Sequence, residues 1–458
     1  MHGHRLWASF GLLLATAVTL GGSLQAQAAT ITPKRVRETV TWLAADERAG
    51  RNTGSKELAA AGEWLVDRFA KAGLKQVREG SWYHEFSLPA QRIDSDEIAL
   101  TVTCRVDGKK TELKLEPGRD VRQWMPSDGL KGEERCTVAK GGDPVLQRLL
   151  RASAARRPIV IEVDKKHPYW AASEGKHSVI VGRRKAARPI FLVRSGLLPK
   201  TPADRDVEWT AAWSVLQPEK VDMPQRNVMA LLPARADSDR KNEYIVISAH
   251  YDHIGVGAAV DGDSINNGAD DNATGTTAVV MLAEAMAKMP APRRNILFVC
   301  FAAEEKGLLG SKAFCAQPPL PLESVVANLN IEMIGRPAPG NIGKAWVTGG
   351  GFSDFESICG AAFEKTGVSL VDFNMANQLF AASDNFSFAA KGVVAHSISA
   401  GSLHRDYHRP SDEVEKLDID HMTKIIRGLL DVSLALAERD NPPAWNEQGE
   451  KVLKRMRR

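Results

Sequence analysis

The sequence contains little cysteine, and no long apolar run follows its first residues. Only five of its 458 residues are cysteine, and none of them has the spacing of a cysteine-based zinc site. No segment repeats with a fixed period, and no low-complexity tract stands out. Apolar residues make up 43% of the chain and charged residues 25%, which excludes the bias of a disordered chain or a collagen-like fibre. Length and composition therefore predict a globular protein with a large core plus one smaller module.

The first 28 residues have the pattern of an export signal. His4 and Arg5 precede an apolar run from Leu6 to Leu20, and Ala26-Gln27-Ala28 supplies the small residues of a cleavage site. The run is shorter than the roughly 20 residues that a membrane span needs, and no later segment is long enough. We therefore predict cleavage before Ala29 and a mature protein that is exported to the periplasm or the medium, with no membrane span.

The odd number of cysteines matters in an oxidising compartment, because at least one of them has no partner within the chain. A pair between Cys104 and Cys136 is left open. Cys300 lies in an apolar, strand-like run and Cys359 in a helix-like segment. Their surroundings predict buried, inert thiols.

The N-terminal part of the mature chain is predicted to be helical. Pro33 begins one helix, and a second runs from Leu58 to Phe69. From about Phe86 to Pro224 the pattern changes to short β-like runs among charged and Gly- or Pro-containing turns. These runs are Ile98–Val102, Pro158–Val163 and Pro189–Val193. We interpret this stretch as a β-rich insert.

After Gln225 the chain alternates between apolar runs of strand length and helical segments. The clearest helix is predicted at Thr274 to Met289. This alternation predicts an α/β fold with a mostly parallel central sheet and helices on both faces. The five predicted strands are Asn227–Leu232, Tyr244–Ser248, Asn295–Phe301, Ala327–Ile331 and Gly392–Ile398.

The domain boundaries follow from these changes of pattern. We predict a signal peptide at 1–28, a main α/β domain at 29–88 and 225–440, and the insert at 89–224. Residues 441–458 remain as a basic C-terminal tail, with five basic side chains among the last eight residues. We expect this tail to be solvated and frayed rather than to bind an anionic surface.

Polar side chains follow three of the predicted strands at the point where each strand ends. His250 follows the strand at Tyr244, Glu304 and Glu305 follow the strand at Asn295, and Glu332 follows Ile331. In open α/β sheets this rim is where ligands bind. Three strands therefore bring ligands of the metal-binding type to one edge.

Two further segments add candidates to this edge. Asp270 and Asp271 lie in a small-residue turn before the helix at Thr274, and His408 comes late in the chain. Taken singly, each feature has an ordinary explanation, such as a helix N-cap for the two aspartates. Their joint occurrence at strand and helix edges of one sheet favours a pair of Zn²⁺ ions held by two imidazoles and several carboxylates.

At this point the residues resemble a known family, the M28 peptidases, which are co-catalytic two-zinc aminopeptidases with the phosphorylase/hydrolase-like fold of zinc exopeptidases. The resemblance covers about 32–88 and 226–439, and the intervening stretch resembles the protease-associated insert of many members. Four segments match the family's successive motifs: Ser248-Ala249-His250-Tyr251-Asp252, Gly268 to Gly275, Ala302 to Leu308, and Tyr407-His408-Arg409-Pro410-Ser411-Asp412.

The resemblance implies a ligand set for two zinc ions. His250 and Glu332 would bind the first ion, Glu305 and His408 the second, and Asp271 would bridge them. Asp252 resembles the carboxylate that orients His250 through its other ring nitrogen.

The resemblance also implies the catalytic groups. Glu304 would be the general base that takes a proton from a zinc-bridged water and passes it to the leaving amine. Tyr407 stands where some members have a tyrosine that hydrogen-bonds the oxyanion. The implied activity is hydrolysis of the N-terminal peptide bond of peptides.

Two positions depart from the family pattern. The family usually has Asp where Glu332 stands, so the ligand type is kept but its reach is longer. The segment from Ser383 to Phe388 resembles a stretch in which His usually follows the Asp, whereas here Asn385 follows Asp384. Asp384 is expected to shape the pocket and is not assigned a catalytic role.

The remaining histidines near the site receive no role from the sequence. These are His253, His396, His404 and His421. His404 is the only rival to His408, which is preferred because Arg-Pro-Ser-Asp follows it.

Other functions remain open beside the aminopeptidase. A glutaminyl cyclase shares the fold and binds one zinc, but complete ligands for two ions argue against it. A carboxypeptidase or dipeptidase is not excluded by spacing. A catalytically inactive, receptor-like binding protein should lack a ligand or the base, which this chain retains. Peptides are the expected partners, nucleic acid is not, and the oligomeric state is left open.

Overall fold

The computed structural model of the protein describes residues 26–128, 130–140, 157–180, 188–202 and 205–456. The chain divides into two compact units. The first comprises residues up to Phe86, Gln225–Gly255 and Asn266 onward, and the second comprises Ser87–Pro224 and Val256–Ile265. Most of the predicted signal peptide lies outside the described residues.

The described residues form nineteen strands. They are β1 (Tyr83–Asp94), β2 (Ile98–Val106), β3 (Lys109–Leu115), β4 (Val121–Met125), β5 (Lys131–Arg135), β6 (Thr137–Lys140), β7 (Ile159–Val163), β8 (Lys176–Ile180), β9 (Ile190–Arg194), β10 (Val207–Val215), β11 (Glu219–Leu232), β12 (Tyr244–His250), β13 (Gly255–Val260), β14 (Asp263–Asn266), β15 (Asn295–Phe301), β16 (Val325–Ile331), β17 (Lys344–Val347), β18 (Ser369–Leu370) and β19 (Val394–Ser399).

The α-helices are α1 (Pro33–Leu43), α2 (Lys56–Lys71), α3 (Pro168–Ala172), α4 (Gly275–Met286), α5 (Leu309–Ala316), α6 (Phe355–Phe363), α7 (Asn385–Ala389), α8 (Ile419–Glu438) and α9 (Glu447–Met456). Short 3₁₀ turns cover Asp46–Arg51, Leu322–Ser324, Gly350–Phe352, Glu364–Thr366, Leu379–Ala381 and Val414–Lys416, and a π-helical turn covers Ala269–Thr274.

The first unit is built on a large sheet with the strand order β18-β17-β19-β16-β12-β15-β11. Strand β12 runs parallel to β15 and β16, and β16 runs parallel to β19. Two further strands run in the opposite direction: β11 pairs antiparallel with β15, and β17 pairs antiparallel with β19. The carboxyl ends of the four parallel strands therefore meet at one edge, which is where this class of sheet binds ligands.

Both faces of this sheet are buried. Alternate residues of a strand point to opposite faces, so each strand contributes to both sides. In β15, Ile296, Phe298 and Cys300 join one apolar cluster, which also contains side chains of α1, α2, α4, α6 and α8. The intervening Leu297 and Val299 join a second cluster with Phe314 of α5 and Phe388 of α7. Such two-sided burial explains why the strand sequences are continuous apolar runs instead of alternating ones.

Helix α4 follows the turn that carries Asp270 and Asp271. All its residues are buried except Glu284, so the helix lies inside the first unit, and its contacts are with β12, β15 and β16. Arg68 contributes an ion pair to Glu284 at 2.6 Å. The turn is therefore fixed to the sheet by a helix that is apolar on nearly every side.

The second unit consists mainly of two four-stranded sheets, ordered β3-β2-β10-β5 and β4-β9-β7-β6. Val102, Phe191 and Trp213 lie in one buried cluster to which both sheets contribute. Strand β8 pairs with the second half of β1, and β13 with β14. The second unit thus has its own hydrophobic core.

The structure confirms the mixed α/β class and most of the predicted elements. Three strands of the second unit, β2, β7 and β9, begin within one residue of their predicted starts at Ile98, Pro158 and Pro189. Helix α4 begins at Gly275 and ends at Met286, three residues before the predicted end. Cys300 and Cys359 are buried as expected.

The pairing that the sequence left open does not form, since Cys104 and Cys136 are both buried free thiols. One expectation was wrong. The C-terminal segment does not fray, since α9 buries Gly449 and Leu453 against the first unit. The many basic residues obscured the strongly amphipathic pattern of this segment, which forms a helix whose apolar side is packed despite the charged residues. Among the described residues, no helix is long and apolar enough to cross a membrane.

Candidate metal centre

Five loops and strand ends bring the predicted ligands together in the first unit. His250 is the last residue of β12, and Glu332 directly follows β16. Asp271 lies in the turn before α4, Glu305 follows β15, and His408 lies in the loop after β19. All five side chains belong to two overlapping groups of metal-type ligand atoms.

The first group contains His250, Asp271 and Glu332. His250 Nε2 lies 3.3 Å from Asp271 Oδ1 and 3.1 Å from Glu332 Oε1. The hydroxyl of Ser383 donates to Glu332 Oε2 at 2.7 Å. Glu332, which stands where the family usually has the shorter Asp, is thus held with one oxygen facing the imidazole.

The orientation of His250 is fixed by the main chain. Its Nδ1 lies 3.0 Å from the carbonyl oxygen of Asp252. A carbonyl can only accept, so Nδ1 carries a proton and Nε2 is the nitrogen that faces the carboxylates. The sequence had assigned this contact to the Asp252 carboxylate, but its Oδ1 is 3.8 Å away from Nδ1.

The Asp252 carboxylate instead fixes the neighbouring loops. It accepts from Thr53 Oγ1 at 2.9 Å and from the main-chain N–H of Glu304 at 3.1 Å. Burial raises the pKa of Asp252, and the His250 imidazole opposes that rise. The Asp252 carboxylate thus positions the backbone of Glu304, while the Asp252 carbonyl contacts the ring of His250.

The second group contains Asp271, Glu305, His408 and His253. His408 Nε2 lies 3.0 Å from Asp271 Oδ2 and 3.2 Å from Glu305 Oε2. His253 Nδ1 lies 2.7 Å from Glu305 Oε1. Asp271 directs one oxygen to each group, so it is the residue that the two groups share.

Four buried ligand atoms fit metal ligation better than hydrogen bonding. His253 Nδ1, Asp271 Oδ2, Glu305 Oε1 and His408 Nε2 have no partner with hydrogen-bond geometry among the residues that the structure describes. Tetrahedral zinc with bonds of about 2.0–2.2 Å separates its ligand atoms by roughly 3.3–3.6 Å. The nitrogen–oxygen distances of 3.0–3.3 Å around His250 and His408 are close to that range. Imidazole and carboxylate donors also suit Zn²⁺ chemically.

The electrostatics of the groups are those of a cation site. Burial opposes the ionisation of Asp271, but contacts with His250 and His408 lower its pKa well below the usual value. Burial and the Asp271 charge oppose ionisation of Glu305, yet His253 and His408 lower its pKa to about 2. Burial likewise opposes protonation of His408, but the two carboxylates raise its pKa to about 10. A divalent ion would take the place of these protons.

Glu304 differs from its neighbour Glu305. Burial raises its pKa well above the usual value, and the charges of Asp384, Glu305 and Glu332 add to the rise, while His250 opposes it. Glu304 belongs to neither ligand group. Ala303, with a φ of 58°, turns the chain immediately before the pair. The two adjacent glutamates consequently have different surroundings.

A cavity of about 80 Å³ opens beside the first group. Its polar wall includes His250, Asp271, Glu304 and Glu332, together with Tyr407. The apolar wall is formed by Met333, Trp346, Leu379 and Leu403. Glu304 and the first ligand group thus line the same cavity.

Tyr407 lies at the edge of this cavity. The residue is 40% exposed, and its ring stacks on His408 with centroids 3.9 Å apart. Burial of the hydroxyl end and the nearby carboxylates raise its pKa far above the usual value. The phenol therefore keeps its proton at neutral pH.

Several buried residues that the sequence left without a role support the loops of the site. Asp412 accepts the main-chain N–H groups of Asp270 and Asp271 at 3.1–3.2 Å. Arg51 is fully buried and donates to the carbonyls of Asn267 and Gly268. Asp412 is the last residue of the fourth motif, so the sequence could have pointed to it, whereas no signal in the sequence marks Arg51.

The other histidines near the site differ in their contacts. His404 Nε2 lies 3.2 Å from Asp270 Oδ2, outside both ligand groups, so His408 and not its rival faces Asp271. His396 and His421 are held by ordinary hydrogen bonds. His253, which received no role, is the histidine that the sequence missed.

Asp384 and Asn385 occupy buried positions behind the cavity. Asn385 accepts from Ser397 Oγ at 2.8 Å and donates to the carbonyl of Phe380. Burial raises the pKa of Asp384 to about 7. Asp384 is absent from both ligand groups.

Comparison with known proteins finds aminopeptidases among the relatives. The chain is 29% identical over 237 residues to leucine aminopeptidase 1 of Ajellomyces capsulatus (strain H88), covering 48% of this chain and 59% of that protein. It is 27% identical over 215 residues to a probable leucine aminopeptidase of Trichophyton verrucosum (strain HKI 0517), covering 44% and 56%. The match thus spans less than two thirds of these relatives.

The fold is similar to that of a zinc aminopeptidase from Bacillus subtilis, with a TM-score of 0.57 at 17% identity, covering 90% of this chain and 97% of that one. An aminopeptidase from Aneurinibacillus sp. strain AM-1 gives a TM-score of 0.52 at 17% identity, covering 91% and 96%. At such identities the likeness concerns the fold alone. Residues 227–433 match the model of peptidase family M28, and every residue of the two ligand groups lies inside this range. This segment, which is less than half of the chain, therefore resembles a peptidase family M28 domain.

Proposed function

We propose that this protein is a two-zinc aminopeptidase that removes the N-terminal residue of peptides. The observation that carries the proposal is the pair of ligand groups that share Asp271, with the unligated Glu304 beside them on the cavity wall. The family match and the aminopeptidase relatives support it.

His250, Asp271 and Glu332 would hold the first ion, and Asp271, Glu305 and His408 the second. When bound, two zinc ions supply Lewis acidity that makes hydroxide available near neutral pH and polarises the scissile carbonyl. Asp271 would be the bridging carboxylate, because its two oxygens face different groups.

Glu304 is the proposed general base. It lines the cavity, belongs to neither ligand group, and has a pKa that burial raises well above its usual value. A base with such a pKa can accept a proton from the attacking water and deliver it to the leaving amine. The hydrogen bond from its own N–H to Asp252 keeps its backbone in place for both transfers.

Tyr407 is the proposed donor to the oxyanion. Its phenol keeps its proton at neutral pH, and it lies on the same cavity wall as Glu304. A neutral hydroxyl aimed at the carbonyl oxygen stabilises the charge that develops there. Stacking on His408 limits the positions that the ring can take.

The lining of the cavity favours an apolar N-terminal residue. Met333, Trp346, Leu379 and Leu403 form the apolar wall. The carboxylates that line the same cavity attract the free ammonium group of a peptide and repel an acidic side chain. We therefore propose peptides that begin with an uncharged, apolar residue as the substrate class.

A panel of aminoacyl amides and peptides tests the proposal. Leucyl-amide should be cleaved faster than aspartyl-amide, and N-acetyl-leucyl-amide should not be cleaved. Elemental analysis of the same sample should show up to two zinc ions per chain. Full activity after exhaustive chelation, or cleavage of the N-acetylated substrate, would overturn the proposal.

The same panel separates the competing functions. Release of a C-terminal residue from an N-acetylated peptide would indicate a carboxypeptidase. Ring closure of an N-terminal glutamine without peptide cleavage would indicate a cyclase. An inactive binding protein would retain metals but cleave none of the substrates.

Export remains a proposal that rests on residues 1–28 alone. The expected result is a mature N-terminus at Ala29, measured by mass spectrometry of the protein expressed with its full sequence. Recovery of the intact N-terminus inside the cell would contradict it.

A further inference from the structure

His253 lies three residues after His250, and neither its spacing nor the family motif assigned it a role. In the structure it is fully buried inside the second ligand group. Its Nδ1 lies 2.7 Å from Glu305 Oε1 and 3.8 Å from Asp271 Oδ2. The side chain therefore approaches the same carboxylates as His408, from a different loop.

The surroundings of His253 differ from those of an ordinary buried histidine. Neither of its ring nitrogens has a partner with hydrogen-bond geometry among the described residues. By contrast, His421 Nδ1 accepts from the N–H of Gly343 at 2.8 Å, and its Nε2 lies 2.9 Å from the carbonyl of Ala400. A buried imidazole without hydrogen bonds costs free energy unless another interaction replaces them.

The backbone holds the His253 ring where it is. Its N–H donates to the carbonyl of Arg51 at 3.1 Å. Gly268, which has a φ of 59°, packs directly against the ring: a Cβ at this position would lie 2.5 Å from His253 Cγ and Cδ2. Only a glycine leaves room for the imidazole between this turn and Glu305.

The cavity gives an independent sign that the two ligand groups differ. Its described lining includes all three residues of the first group, His250, Asp271 and Glu332. Of the second group, it includes only the shared Asp271. The substrate space thus opens onto the first group.

We propose that His253, through Nδ1, is a fourth protein ligand of the second metal ion. Asp271, Glu305, His408 and His253 would then satisfy the tetrahedral preference of zinc, as in closed structural sites. The first group offers three protein ligands and keeps an open position toward the cavity, as in catalytic sites. The second ion is therefore the tightly held one, and the first ion is the one that meets the substrate. This inference rests on the proposed function, because it requires that the two groups bind metal.

Nuclear magnetic resonance of the cadmium-substituted full-length protein tests the assignment. Cadmium is added as an NMR-active isotope to protein whose histidine rings carry labelled nitrogen, and each coordinated imidazole then shows a one-bond coupling. At one equivalent of cadmium we expect two coupled imidazoles, and at two equivalents three. One coupled imidazole at the first equivalent and two at saturation would overturn the inference, since His253 would then bind no metal.

The variant His253→Gln should lose one of these couplings and should weaken binding of the tighter ion by at least about tenfold. His421→Gln is the matched control, because it removes a buried histidine outside both groups, and it should leave all three couplings in place. Unchanged couplings in His253→Gln would also overturn the inference. The parent protein alone decides the case if a variant fails to fold. Absence of any bound cadmium would instead contradict the proposed function.

Discussion

Replacing Glu304 by Gln removes the proposed base and keeps its size. The main-chain N–H of residue 304 still donates to Asp252, so the loop should keep its position. Because burial already disfavours the charged form of Glu304, the neutral amide should not lower stability. Loss of a general base costs about 10²–10⁴ in rate, or roughly 3–5 kcal/mol of activation free energy.

The neighbouring variant Glu305→Gln is the matched comparison. It removes one negative charge that faces both His253 and His408. A neutral amide oxygen is a weaker zinc ligand than a carboxylate, so the second ion should bind less tightly. Excess zinc should restore part of the activity of Glu305→Gln and none of the activity of Glu304→Gln.

The assay combines turnover of leucyl-amide with zinc content for the parent and both variants at matched zinc. We expect Glu304→Gln to keep the parent's zinc content while kcat falls at least about a hundredfold. The reasoning is refuted if Glu304→Gln turns over substrate like the parent. It is also refuted if that variant loses zinc while Glu305→Gln retains it.

Three further predictions concern residues outside the reaction itself. Gly268→Ala should lower zinc content, because its Cβ would overlap His253, whereas Gly73→Ala, which has the same unfavourable sign of φ but open space, should not. Arg51→Met should lower the free energy of unfolding by about 3 kcal/mol or more, because four buried carbonyls lose a charged donor. The control Arg37→Met changes an exposed residue and should leave this free energy unchanged. Denaturant titration measures both. Burial lowers the pKa of His396 from its usual 6.5 to about 4, so the stability that its neutral ring supports is complete above pH 6.5 and is lost as the pH falls toward 4. Between about pH 7 and 5 the parent should therefore lose about 2 kcal/mol more unfolding free energy than His396→Gln, and equal losses would contradict this account.

The central strands could be predicted because burial on both faces imposes continuous apolar runs. The run Asn295–Phe301 matches β15 at both ends. Strand pairing in the second unit was not predictable, since contacts such as that of β2 with β10 join residues far apart in the sequence. Short local patterns carry no record of such partners.

The ligand positions could be predicted because strand ends meet at one edge. The atoms that make each contact could not. The sequence showed that Asp252 lies near His250, but only the structure shows that the carbonyl of Asp252, and not its carboxylate, orients the ring. His253 was missed because a single buried histidine gives the same sequence signal whether it binds a metal or packs in a core.

Anomalous X-ray diffraction from crystals of the zinc-loaded protein, recorded on both sides of the zinc absorption edge, tests the central claim most directly. The account predicts two zinc peaks on either side of Asp271, one contacting His250 and Glu332 and the other contacting Glu305 and His408. A single peak, or two peaks that do not share Asp271, would contradict the two-metal site on which the proposed aminopeptidase activity depends.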